Sequence, residues 1–174
     1  AWNTANIVQM APVGAVGNGE FWRLCYLQAG QTVEWAMAKD GSQAFSSLQT
    51  MQGVTVNSDG KATVNTSGLY LVYVNLDRKL IAFETPKVYA SGTALGDNEQ
   101  PVTVNGENLS VETTETGKLN LFATSNNNAR NWTTMQFSIR NGKIVYPGTS
   151  VDNMPALPVT KGTTVRMNMA NNTA

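Results

Sequence analysis

Hydrophobic and polar residues alternate with a period of two along many short segments, which is the pattern of β-strands. The segment Leu69–Leu76 is nearly continuously apolar, as expected for a strand covered on both faces. We find no amphipathic helical pattern, so the chain is predicted to be all-β. The predicted strands are Glu20–Leu27, Gln31–Ala38, Leu69–Leu76, Leu80–Thr85, Lys87–Ser91, Lys118–Thr124 and Thr163–Ala170.

The clearest local prediction is a β-hairpin around Asn141-Gly142. This pair suits a two-residue type I′ turn, in which both central residues need a positive φ. Pairing outward from the turn places Ile139 opposite Ile144 and Phe137 opposite Tyr146, all on one face of the hairpin.

Pro86 interrupts the run of strands, and a new series begins with KVYASG. The two halves of the chain also echo each other weakly, since Gly19 and Gly117 each precede an alternating strand segment. Several short strands separated by turn signals indicate β-sandwiches. We therefore predict two tandem immunoglobulin-like β-sandwich modules, residues 1–85 and 86–174.

Composition narrows the function classes. Only 14% of the 174 residues are charged, and twelve basic residues balance twelve acidic ones, against about 25% charged in a typical soluble protein. A neutral surface rich in Asn, Thr, Ser and Gln suits an uncharged polar ligand, and it lacks the basic patch that nucleic-acid binding needs. The chain has no histidine, which excludes Ser–His and Cys–His catalysis and His-ligated metals within it. Its single cysteine, Cys25, lies in a strand pattern and is predicted to be a buried thiol rather than a nucleophile.

Four segments in order resemble the SusE/SusF family of surface glycan-binding lipoproteins. They are GNGEFWRLCYLQAGQTVEWAMAKD, TSGLYLVYVNL, TPKVYASGTALG and QFSIRNGKIVYPG, and they span nearly the whole chain. The resemblance implies tandem Ig-like modules, with the segment AWNTAN following a first strand that lies outside this sequence.

The resemblance also implies a function. Family members bind starch or related neutral glycans without cutting them, on the outer membrane of Gram-negative gut anaerobes and beside a glycan importer complex. The lipid anchor and further modules are expected upstream of this sequence, because Cys25 lies inside a strand. One departure concerns the segment Thr93–Ser110, which has no aromatic residue, so it lacks one platform that starch-binding modules of the family use.

Sugar rings stack on exposed aromatic side chains, while fixed polar groups bind their hydroxyls. The loop before the hairpin, SNNNARNW, carries such a set, and the family has a Trp at the matching place. Lys39 is a candidate because it matches an "AK" segment of the family. The candidate carbohydrate-binding residues are Trp132, Arg130, Asn131, Asn128, Trp22 and Lys39.

Other interpretations remain open at this point. Trp132 could instead plug the core, in which case the modules would be structural spacers or an adhesin stalk. An exposed Trp132 favours glycan binding, and a buried Trp132 with no other exposed aromatic residue favours the spacer. A glycosidase would need two carboxylates converging beside an aromatic cleft. Calcium binding near DNEQ is a weaker alternative, since the spacing of oxygen ligands fits no known loop. We predict no catalytic residues, no metal and no cofactor.

Overall fold

The computed structural model describes residues 8–14, 17–35, 50–52, 54–56, 61–147 and 154–174. Strands dominate, and the only helical element within these ranges is a 3₁₀ turn at Thr93–Leu95. The all-β prediction is confirmed. None of the helical structure in these ranges is long and apolar enough to cross a membrane.

Strands β1–β8 lie in residues 8–85 and form two sheets. Five strands pair in the order β1-β2-β7-β8-β4, with β4 parallel to β8, and three pair in the order β3-β6-β5. Their bounds are β1 Ala11–Pro12, β2 Glu20–Leu27, β3 Thr32–Val33, β4 Thr50–Gln52, β5 Thr55–Val56, β6 Ala62–Thr63, β7 Gly68–Asn75 and β8 Leu80–Glu84.

Strands β9–β17 lie in residues 86–174. One sheet has the order β10-β9-β13-β14-β15, with β16 also paired to β13, and the other has the order β11-β12-β17. Their bounds are β9 Lys87–Ser91, β10 Gln100–Pro101, β11 Thr103–Asn105, β12 Asn108–Glu112, β13 Gly117–Thr124, β14 Gln136–Arg140, β15 Lys143–Val145, β16 Leu157–Val159 and β17 Thr164–Asn168.

The predicted strands agree closely with those of the structure, and β2 and β9 match residue for residue. The exception is Gln31–Ala38, because β3 covers only Thr32–Val33 and residues 36–38 lie outside the described ranges. Trp35 leaves the ladder and packs against the core of the first half, where its indole N–H lies 3.2 Å from the sulfur of Met10.

The hairpin prediction is confirmed. Asn141 and Gly142 both have positive φ, 52° and 72°, and Ile139 pairs with Ile144 across the turn. The rings of Phe137 and Tyr146 stack with their centroids 6.0 Å apart.

Two hydrophobic clusters form the interior. One lies wholly within the first half and is built on one face of β7 and β8, with Val72, Val74 and Ile81 among its buried members. The other runs from the opposite face of the same sheet into the second half. Trp22 on β2 is fully buried there, and its ring centroid lies 6.3 Å from that of Phe137 and 5.3 Å from that of Tyr146.

No strand pairing among the described residues crosses the Thr85-Pro86 junction, yet one core spans it. The division into modules 1–85 and 86–174, and their immunoglobulin-like character, remain predictions. What the structure adds is that the two halves pack through a shared apolar interior, so the chain should behave mechanically as one body.

Candidate functional site

The candidate site lies on the outer face of the sheet formed by β9 and β13. Tyr89 pairs with Phe122, and two residues further along Ser91 pairs with Asn120. Because side chains alternate across a strand, these four share one face. Their neighbour Ala90 is fully buried in the core on the other face. This face thus carries an aromatic pair, of which Phe122 is fully buried and Tyr89 partly exposed, followed by a partly exposed polar pair.

The turn after β9 forms one wall of the site. Gly92 has φ 115° and opens the 3₁₀ turn, and Gly96 and Asp97 then adopt left-handed φ values of 63° and 60°. The side-chain amide of Asn98 donates to the Leu95 carbonyl at 3.1 Å. These features fix the turn, so its polar side chains are held in place before any ligand binds.

Trp132 forms the opposite wall. It is 49% exposed, an unusual state for so large an apolar side chain. Asn131 supports the turn that carries it, since the Asn131 Oδ1 accepts hydrogen bonds from the Thr133 amide at 3.0 Å and the Thr133 hydroxyl at 2.8 Å. Asn131 thus positions Trp132, as an Asx turn does.

Between these walls lies an open cleft of about 320 Å³. That volume is at the lower end of the range for small-molecule sites. The cleft combines one exposed indole with hydroxyl, amide and carboxylate groups. Its lining residues are Ser91, Gly92, Asp97, Asn98, Glu99, Asn120 and Trp132.

Arg130 lies beside the cleft and does not line it. Its guanidinium carbon is 4.9 Å from the centroid of the Tyr89 ring and 5.6 Å from that of Phe122. It forms an ion pair with Glu99, which does line the cleft. Both side chains of the pair are exposed, 52% and 37%, and such pairs are weak on their own, so the stacking on the two rings is what keeps the Arg130 guanidinium beside Glu99.

Asn128 points away from the cleft and joins the two halves of the chain. Its amide nitrogen donates to Glu20 on β2 at 3.1 Å. The same Glu20 oxygen accepts a hydrogen bond from the Tyr73 hydroxyl. Burial, reinforced by that hydrogen bond, raises the pKa of Tyr73 to about 12, so the hydroxyl keeps its proton and stays a donor. Asn128 is thus part of the contact between the halves and not of the cleft.

The rest of the asparagine-rich loop serves the same contact. The buried Glu84 carboxylate at the end of β8 accepts hydrogen bonds from the Ser125 hydroxyl at 2.5 Å and the Asn126 amide at 2.6 Å. Arg78 approaches the Asn127 carbonyl at 3.4 Å. The loop therefore anchors the first half with residues 125–128 and presents Trp132 at its far end.

The prediction for Trp22 is wrong, since a side chain with no exposed surface cannot stack on a sugar; its alternation with Leu24 places it in the core between the halves. Lys39 lies outside the described residues. Sequence reasoning considered Asp97, Asn98 and Glu99 only as part of a weak calcium alternative and did not place them beside Trp132. The available signal was the Gly-Asp-Asn turn that follows β9 and its 3₁₀ turn, since such turns bring polar side chains to a sheet edge.

Cys25 has the environment of a structural thiol. It lies in β2, is partly exposed and packs against the first-half core, and burial raises its pKa from 9.0 to about 11. At pH 8 the reactive thiolate should then be scarcer than in an unperturbed cysteine. We expect iodoacetamide to label the folded protein at least about tenfold more slowly than the urea-unfolded protein, followed by mass spectrometry. Equal labelling rates would contradict the raised pKa.

The fold and the cleft together describe a β-sandwich protein with an aromatic-walled polar surface site. No family model and no curated protein matches the chain. Among solved structures, SusF from Bacteroides thetaiotaomicron matches with a TM-score of 0.78 and 24% sequence identity. The match covers 94% of this chain but 41% of the SusF chain, so this chain spans less than half the length of that protein. The likeness supports the resemblance to the SusE/SusF family at the level of fold.

Proposed function

We propose that this chain is a non-catalytic glycan-binding unit that holds a neutral polysaccharide, such as starch or its maltooligosaccharides or another uncharged glycan, at a bacterial cell surface. The observation that carries this proposal is the exposure of Trp132 at the wall of a polar cleft. An indole stacks on the C–H face of a sugar ring, while the amides and hydroxyls around it bind the ring hydroxyls. A spacer has no need to leave a tryptophan in water.

The cellular setting of this proposal rests on the resemblance to the SusE/SusF family, which the SusF likeness supports at the level of fold. We propose that the protein lies on the outer membrane, held by a lipid anchor that lies outside this chain, with a glycan importer complex as its partner. Each cleft is shallow and binds weakly, and several modules on one protein raise the effective concentration of binding sites near the importer.

A glycosidase is the second candidate, because two carboxylates, Asp97 and Glu99, line the same cleft as Trp132. Two features argue against it. Both residues are exposed, and Glu99 is already engaged by Arg130. A general acid needs a carboxyl kept protonated by an apolar site, and neither residue has such surroundings. After long incubation of the protein with each candidate polysaccharide, chromatography should show no products shorter than the starting polysaccharide. Any such product would favour the enzyme.

Affinity gel electrophoresis tests the binding proposal. The wild type is run through gels containing amylopectin, pullulan, dextran, xylan or inulin, and we expect retardation by at least one of them. Trp132→Ala should weaken that retardation at least tenfold in Kd, equivalent to about 1.4 kcal/mol, because the stacking surface is lost.

The matched control is Val104→Ala, which truncates another exposed apolar side chain that does not line the cleft. It should migrate like the wild type in every gel. Wild-type migration unaffected by any polysaccharide, or equal retardation of wild type and Trp132→Ala, would count against the proposal and favour the spacer.

A further inference from the structure

The charges of the cleft indicate which class of glycans it binds weakly. Its described lining includes two carboxylates, those of Asp97 and Glu99, and no lysine or arginine. Arg130 neutralises one of them from the side, so these three groups leave one negative charge at the cleft. Lys118, on the same strand as Asn120, is not among the lining residues.

We propose that Glu99, fixed by Arg130, and Asp97 are specificity-determining residues that make the Trp132 cleft accept uncharged sugars and reject sugars carrying carboxylate groups. This inference rests on the proposed glycan binding and adds the residues that select the glycan. Ionised carboxylates accept strong hydrogen bonds from sugar hydroxyls, whereas a second carboxylate brought beside them is repelled.

The discrimination is local. The whole chain has a formal net charge of zero, so it exerts little overall repulsion on a polyanion. Any preference for neutral glycans must then come from groups at the site. Because the cleft is open to solvent, the repulsion should also weaken as salt is added.

The role of Arg130 in this scheme is positioning. Its guanidinium stacks on Tyr89 and Phe122 and pairs with Glu99. In this scheme Arg130 therefore contacts the Glu99 carboxylate and not the sugar. Arg130→Met keeps the length of the stem but removes the ion pair and adds one net negative charge to the site. It should weaken binding of the neutral glycan and increase the penalty for the acidic one, whereas loss of a direct sugar contact would weaken both equally.

The test compares each of the five polysaccharides with its carboxymethylated form and with its hydroxyethylated form, which has similar bulk and no charge. In low salt we expect the wild type to bind the carboxymethylated form about five- to tenfold more weakly than the hydroxyethylated form. The gap should narrow to less than about twofold at 0.5 M NaCl.

Asp97→Asn brings the formal charge of Asp97, Glu99 and Arg130 from −1 to zero, so it should close the gap in low salt. Asp97→Asn/Glu99→Gln leaves Arg130 unpaired and the charge at +1, so it should bind the carboxymethylated form at least as tightly as the hydroxyethylated form. Equal wild-type affinity for both derivatives, or a gap that persists in both variants, overturns the inference and leaves the proposed function standing. If neither the native polysaccharides nor their derivatives are retained, the proposed function fails and this inference with it.

Discussion

Trp22→Ala is expected to lower the free energy of unfolding by about 3–5 kcal/mol, the usual cost of truncating a fully buried tryptophan. Trp22 has no exposed surface and packs against Phe137 and Tyr146 from the other half of the chain. The cavity would open where the halves meet, so its lining could not collapse without moving one half against the other. Since domains are generally stable by only about 5–15 kcal/mol, this is a large fraction of the total. Urea unfolding followed by far-ultraviolet circular dichroism measures it.

The same shared core predicts that the wild type unfolds in one transition. Two independent modules would give two transitions, only one of which Trp22→Ala would shift. Trp22→Phe should lower the free energy of unfolding by less than half as much as Trp22→Ala. It keeps an aromatic ring and removes an indole N–H that has no hydrogen-bond partner within the described residues. Trp132→Ala is the surface control and should stay within about 0.5 kcal/mol of the wild type. Two resolved calorimetric transitions, or a Trp22→Ala effect below about 1 kcal/mol, would contradict a common core.

Local pattern was sufficient to predict the longest strands, whereas β1, β4–β6, β10–β12 and β16, all but β12 two or three residues long, were not predicted. The alternation in Glu20–Leu27 and the Asn141-Gly142 turn determine their own geometry, because side-chain period and backbone φ are properties of a few neighbouring residues. Tyr70 makes a similarly local contact, since its hydroxyl donates to the Thr66 carbonyl four residues earlier at 2.5 Å. At β3 the pairing covers only Thr32–Val33, and Trp35, just beyond it, packs against the first-half core.

The candidate site was predicted only in part. Trp132 could be proposed because an aromatic residue in a polar loop stands out, but its exposure depends on where the loop is anchored. That anchor is Glu84, more than forty residues away in sequence. The same long-range contacts turned Asn128 toward Glu20. Alternation placed Trp22 on a face with Leu24, but alternation cannot tell a face that meets solvent from one that meets another sheet.

The residues that complete the cleft were missed for a related reason. Glu99 lies at the cleft beside Arg130, thirty-one positions later, which is stacked on Tyr89. Neither residue signals this pairing in its own segment. Sequence reasoning therefore pointed to the aromatic residue of the cleft, which has a compositional signature, and not to its carboxylates, whose place beside Trp132 depends on strand pairing between β9 and β13.

That strand pairing also depends on a close backbone approach at Gly92. A Cβ added there would lie 2.4 Å from the carbonyl oxygen of Lys118, at a φ of 115°. Both the contact and the backbone angle exclude side chains, since a non-glycine residue in such a region costs about 1–3 kcal/mol and overpacking adds a similar amount. Two other glycines allow the cost of the close contact and the cost of the backbone angle to be measured separately. Gly162 has φ 76° and open space around it, and Gly68 has open space without a positive φ.

Gly92→Ala should therefore destabilise the protein by about 2–6 kcal/mol, Gly162→Ala by only about 1 kcal/mol, and Gly68→Ala by no more than about 0.5 kcal/mol, if at all. Urea unfolding of the three variants side by side measures the order. Gly92→Ala should also weaken glycan retention at temperatures where it is still folded, because relieving the contact pushes Lys118 away and moves Asn120, two residues along β13, relative to Ser91. A Gly92→Ala variant no less stable than Gly162→Ala would mean that the backbone yields at this point. The close approach of β9 and β13 would then not hold Ser91 and Asn120, the polar pair of the cleft, rigidly in place.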